Sequence, residues 1–137
     1  MLMKAKLYSQ FSLLVLVVLL FSCKSATKLY KKGNYDEAVE VAAKKLQKDP
    51  NEPELRALIQ DAYRYAVNDH NSRIRAHSQS NNELKYEWMY GEYSSLQSLY
   101  NIIYRSPAVY QLVKPEDYSS YLVTYSEKAA DVRYERG

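Results

Sequence analysis

The sequence predicts an all-α fold, and three observations predict it. Past residue 22, Val and Ile are sparse, and no segment alternates apolar and polar residues with period two as a half-buried strand would. Only three glycines and four prolines occur in 137 residues, too little turn chemistry for a many-stranded domain. Apolar residues instead recur at offsets of three and four, the spacing of an amphipathic helix.

The chain begins with a leader. Lys4 and Lys6 precede an apolar run from Phe11 to Phe21, and the small residue Ser22 follows. A basic stretch, a short apolar stretch and a small residue at the cut mark a secretory signal peptide. The run is shorter than the about 20 apolar residues a spanning helix needs. The next residue, Cys23, is the only cysteine in the protein. Leu20-Phe21-Ser22-Cys23 resembles the lipobox of bacterial lipoproteins. The resemblance implies cleavage before Cys23 and acylation of its thiol and new amine, so that membrane lipid becomes the first partner. Two acyl chains already anchor a protein stably, without a spanning helix. In that family an aspartate after the cysteine retains the protein at the inner membrane; here Lys24 follows, and residues 24–28 hold no acidic run. The implied location is the bacterial cell envelope, on the outer membrane facing the periplasm.

Removing residues 1–22 leaves 115 residues, enough for one small domain. The leader carries two of the nineteen basic residues and none of the sixteen acidic ones, so seventeen face sixteen and the net charge is +1. A near-neutral body argues against nucleic acid as a partner, which calls for a clustered basic face. Lys24, Lys28, Lys31 and Lys32 do gather beside the anchor, where lipid headgroups would lie. On sequence grounds they read first as a solvated helix face. Tyrosine occurs fifteen times, at helical spacing, and reads as amphipathic packing rather than as a stacking platform for bases.

Helical character starts at the anchor, with Ala26, Leu29 and Tyr30 on one face of a segment that stops at Gly33. Asn34 is placed to cap the next helix, with Glu37 completing a capping box. Tyr35, Ala38, Val39, Ala42 and Leu46 form its stripe, and Lys44, Lys45 and Lys48 suit its C-terminal end. Gly33-Asn34-Tyr35-Asp36-Glu37-Ala38, Leu46 and Asp49-Pro50-Asn51 together look like the second half of a tetratricopeptide repeat, over about residues 26–51. That resemblance implies structural roles: Gly33 for close helix approach at the turn, Tyr35 and Ala38 for packing, Pro50 for helix termination.

Pro53 opens a longer helix whose apolar face is Leu55, Leu58, Ile59, Ala62, Tyr65 and Ala66. The periodicity fades after Val67, which predicts a polar stretch leaving the core and a loop from Ser78 to Asn82. Glu83 to Tyr104 is helical again, with Leu84, Trp88, Tyr93, Leu96, Leu99, Tyr100 and Ile103 inward and Gly91 at a bend or close contact. Ser106-Pro107 breaks it, and Lys114-Pro115 ends a short connecting segment. The last helix is expected from Glu116, with Tyr118, Tyr121, Leu122, Tyr125, Ala129 and Val132 on one face. Its end, residues 129–137, resembles a repeat's first helix running up to its glycine. This predicts either a fragment of a longer repeat protein or a helix that caps the bundle.

The expected organisation is a signal peptide over residues 1–22, an anchor and tetratricopeptide-like hairpin over 23–51, and longer antiparallel helices over 52–137. Enzymatic motifs and cofactor signatures are not found, and no metal is expected. His70 and His77, seven apart, are spaced too widely for one ion and read as surface residues. The function implied is a membrane-anchored scaffold for a protein partner in the envelope. The alternative is a glycan- or peptide-binding, or enzymatic, lipoprotein whose site lies among Trp88, Tyr90, Tyr93 and a loop from Tyr104 to Tyr110.

Overall fold

A computed structural model describes residues 3–4 and 25–137. Cys23 and the expected leader cleavage site lie outside the described residues. From Ser25 onward the chain is all-helical: α1 (Ala26–Lys31), α2 (Tyr35–Lys48), α3 (Pro53–Ser78), α4 (Lys85–Tyr104), α5 (Pro107–Val113) and α6 (Ser119–Glu135). The described residues contain no strand.

The α1–α2 hairpin turns on a left-handed residue. The Gly33 N–H donates to the Tyr30 carbonyl and the Asn34 N–H to the Leu29 carbonyl, each at 3.0 Å. This is a Schellman end, which needs positive φ at its glycine; Gly33 has φ +80°. A Cβ built there meets nothing within 4 Å. The glycine is thus required for backbone conformation, not for the close helix approach that the repeat resemblance implies. The expected capping box is also absent as drawn: the Asn34 side chain makes no cap hydrogen bond, and α2 starts on the Asn34 carbonyl with Asp36 and Glu37 in its first turn.

α2 packs tightly because its inner face is small. Ala38, Val39, Ala42, Ala43 and Leu46 are buried, against Ala26 and Leu29 of α1 and Ile59, Ala62 and Ala66 of α3. Pro50 stands in the turn that follows, where its carbonyl accepts a 3.0 Å bond from Arg56. Glu52 caps α3, accepting from the N–H groups of Glu54 and Leu55 at 3.3 and 2.6 Å, with Pro53 in the first turn.

α3 is the spine, about 39 Å long by its 26 residues. Its second half does not leave the core as the fading periodicity suggests. Ile74 is buried with Met89, Tyr93, Leu96 and Tyr118 in a second apolar cluster, while the first cluster runs from α1 through α2 and α3 to Leu99, Ile103 and Val109. α4 passes through both. Its inward stripe is Met89, Tyr93, Leu96, Leu99 and Ile103; Leu84 and Trp88 are turned outward, and Gly91 sits in uninterrupted helix with no close neighbour. α5 closes the first cluster and ends on Lys114 at φ 50°. α6 starts at Ser119, three residues later than expected. Asp117 Oδ1 accepts the Ser119 N–H at 2.9 Å, which also holds the Asp117 carboxyl below its ordinary range.

A conformational requirement without a steric one has a distinct signature at Gly33. Gly33→Ala costs about 1–2 kcal/mol, Gly33→Val more, and Gly33→Asn least, because asparagine tolerates left-handed backbone. Thermal melts of the three variants check the order. Equal losses for Ala and Asn would show that space, not φ, is limiting.

Candidate functional site

His70 is a buried titratable side chain where the two apolar clusters meet. It lies on α3 between Ala66 of the first cluster and Ile74 of the second, and is only 3% exposed. Burying an imidazole requires partners for both nitrogens, and both are supplied. Nε2 lies 2.9 Å from Asp36 Oδ2, in the first turn of α2. Nδ1 lies 2.5 Å from Glu92 Oε2, midway along α4. Arg73, one turn on from His70, donates from Nε to both Glu92 oxygens at 3.0 and 2.9 Å, and its Nη2 lies 3.0 Å from His70 Nδ1. His77 completes the row, with Nε2 3.9 Å from Glu92 Oε1.

The spacing of His70 and His77 predicts surface positions for both. For His70 the structure overturns this, and His77 is half-buried against Trp88, with ring centroids 5.3 Å apart. The missed signal was present. Ile59, Ala62, Ala66, His70 and Ile74 are spaced three or four apart, so the buried stripe continues through His70 once a polar residue is allowed on it.

Burial alone pushes the His70 imidazolium below its ordinary pKa of 6.5, but the hydrogen bonds and charges of Asp36 and Glu92 outweigh it and the net shift is upward. The protonated ring then donates to a carboxylate at each end, joining α2, α3 and α4. With both nitrogens engaged, His70 has none free to take a proton from a substrate, so the arrangement holds charge in place. An open groove of about 270 Å³ runs beside it from the Gly33 turn to Asp69 and Arg73. Among the described residues, no group of three His, Cys, Asp or Glu side chains is arranged to hold a metal ion.

The four aromatics expected to form a ligand surface do not converge. Tyr93 is buried at 8% exposure, sandwiched by Tyr121 and Tyr125 with centroids 4.6 and 5.2 Å away and planes within 7° and 16° of parallel. Burial, then the neighbouring phenols, push its hydroxyl up to about 12. It is a core residue, contrary to the ligand-surface expectation. Trp88 and Tyr90 are exposed at 37% and 39%, but they line different shallow grooves. Trp88 sits with His77, Gly91 and Glu92; Tyr90 sits with Ser126, Ala129 and Arg133; Glu87 stands between the two grooves and lines both. Tyr110 is half-buried on α5, edge-on to Tyr104, which stands about 24 Å along α4 from Trp88. The segment expected to be a loop from Tyr104 to Tyr110 is mostly the start of α5.

The other expected positions are structural in place. Tyr35 stacks on Tyr65 at 5.1 Å and meets Tyr30 edge-on at 5.7 Å, tying α1, α2 and α3 together, and Ala38 is fully buried. No protein-family model matches the chain, and no curated protein or solved structure matches it either.

Two outcomes follow from this geometry. A raised pKa means that folding stabilises the protonated ring, so that contribution is complete below pH 6.5 and is lost as pH climbs through the raised value. Melts of the wild-type chain therefore shift downward above pH 6.5, and His70→Gln flattens that slope while costing about 1–3 kcal/mol at pH 6; an unchanged slope in His70→Gln would assign the dependence elsewhere. Tyr93→Ala costs about 3 kcal/mol or more, as a buried aromatic truncation does. A Tyr93→Ala chain as stable as wild type would return Tyr93 to the surface.

Proposed function

We propose that the chain is a lipid-anchored helical scaffold that binds a protein partner in the bacterial cell envelope. One observation carries the reading: the only cysteine in 137 residues stands directly after a basic, apolar leader, in Leu20-Phe21-Ser22-Cys23. In this reading Cys23 is acylated, the leader is removed, and the helices from Ala26 onward stand on the membrane surface. Among the described residues no helix is long and apolar enough to cross a membrane. The lack of an aspartate or acidic run after Cys23 favours the periplasmic face of the outer membrane.

The scaffold role is supported by where the side chains have gone. The titratable cluster is used internally, and the tyrosines largely pack on one another. Aromatics that still keep exposed surface, Trp88, Tyr90, Tyr104, Tyr121 and Tyr134, are residue types that anchor protein interfaces. In this reading the protein performs no chemistry of its own, and the partner carries the activity.

The test is Cys23→Ala in a bacterial host. Fatty-acid labelling disappears, the leader is retained or cut elsewhere, and the protein leaves the membrane fraction. Labelling and retention equal to wild type would sink the anchor. Proteolysis of intact cells checks the leaflet: digestion without membrane rupture places the body on the cell surface instead.

A further inference from the structure

We infer that the outward face of α1 is a docking surface for anionic lipid headgroups. This rests on the anchor reading of Cys23 and adds to it which side of the domain meets the membrane.

α1 buries Ala26 and Leu29; Thr27, Lys28, Lys31 and Lys32 are exposed. On a helical wheel the three lysines fall together, opposite the buried pair. The helix dipole accounts for cations in the last turn, but it equally favours an acid in the first, and α1 has none. The outward side of α1 itself therefore carries one sign, with a single acid, Glu37 of α2, across the groove beside Lys28 and Lys32. It also stands apart from the rest of the chain. Setting aside Lys24, Lys28, Lys31 and Lys32, the body after the leader has thirteen basic and sixteen acidic residues, net −3. The positive charge of the protein is concentrated at its tethered end.

The tether fixes what lies opposite that charge. From Cys23 to Ala26 is three residues, a reach of at most about 11 Å even fully extended. The electrostatic screening length at physiological salt is about 8 Å. A lipid on Cys23 thus brings the α1 lysines within reach of the surface potential when α1 lies along the surface, since even Lys32 is only about 9 Å of helix beyond Ala26. Beside them Tyr30, Tyr35 and the partly exposed Tyr65 form a ring triad. Phenols suit the boundary between headgroup and acyl chain, with an apolar ring and a wet hydroxyl. Charge complementarity and tether length together select the headgroup layer as the occupant of this face.

The test uses the full chain, expressed in bacteria with its own leader and purified from membranes. Its mass reports acylation independently of docking. Thr27→Cys supplies a single free thiol, because an acylated Cys23 does not react, and carries an environment-sensitive dye. The protein is reconstituted into vesicles of phosphatidylglycerol and phosphatidylethanolamine, or of phosphatidylcholine alone, each with nitroxide-headgroup lipid as quencher. The dye is quenched in the anionic vesicles, and quenching falls in the neutral ones or in 0.5 M salt. Replacing Lys28, Lys31 and Lys32 with Gln lowers the docked-to-undocked ratio at least tenfold, since each lysine is worth about fivefold near an anionic surface. A charge-matched control, Arg75→Gln with Arg105→Gln and Lys114→Gln, leaves it unchanged.

Equal quenching in both vesicle types, retention of quenching by the lysine variant, or an equal effect of the control would each overturn the docking. Protection of the dye in native membranes but not in lipid vesicles would give the face to an acidic protein instead. An acylated chain whose dye stays unquenched removes the docking alone, whereas a chain with no added acyl mass removes the anchor and the docking with it.

Discussion

One imidazole sets the relation between three helices. Asp36, His70 and Glu92 belong to α2, α3 and α4, and the ring of His70 reaches a carboxylate at each end. A buried polar ring is costly unless satisfied, so the helices are held in the one register that brings both acids to it. Sliding α3 by one turn would present Ala66 or Ile74 to Asp36 and leave the carboxylate facing a hydrocarbon. Asp36 is also only three residues from Gly33, so the left-handed turn and the histidine bridge act on the same end of α2. The turn sets the direction in which α2 leaves α1, and the bridge sets where it lands on α3.

The bridge lies where two differently built cores meet. The first is made of small and aliphatic side chains, Ala38, Ala42, Ala43, Leu46, Ile59, Leu96's neighbour Leu99 and Ile103, and lets the helices come close. The second is dominated by rings: Tyr93 and Tyr118, with Tyr86 and Tyr125 packed against them. Phenols bring hydroxyls into the interior. The Tyr63 hydroxyl, shut away from solvent, faces Tyr118 and the Glu116 backbone, and burial raises the pKa of both phenols. A core of this kind trades close packing for ring stacking, and this explains why α6 can be built with so few aliphatic residues.

The sequence was readable where structure is local. The stripes of α1 and α2, the stop at Gly33, Pro53 at the start of α3 and the break at Ser106-Pro107 are all written within a few residues of where they act. What it hid was non-local. His70 looked like a surface histidine because its partners are 34 and 22 positions away, and no local pattern announces a carboxylate arriving from another helix. Only the start of α4 departs from the expected stripe: Tyr93, Leu96, Leu99 and Ile103 are inward, but Met89 is buried in place of Trp88, because either side chain extends an amphipathic stripe and only the neighbouring helices decide. The ligand surface failed for the same reason. Trp88, Tyr90 and Tyr93 are close in sequence, yet α4 turns them to different sides, and Tyr110 stands on α5 at the far end of α4.

The place of α6 has a consequence for how the molecule opens. Among the described residues, every other helix from α1 to α5 packs its backbone against at least two partners, whereas the backbone of α6 comes close only to α4. Its ties are stacked rings and two exposed ion pairs, Arg133 with Glu87 and Arg136 with Glu83. Such pairs are screened by salt. The backbone amides of α6 therefore form a cooperative unit of their own, exchanging with solvent through detachment of one helix, while those of α2 and the first half of α3 wait for the whole fold to come apart.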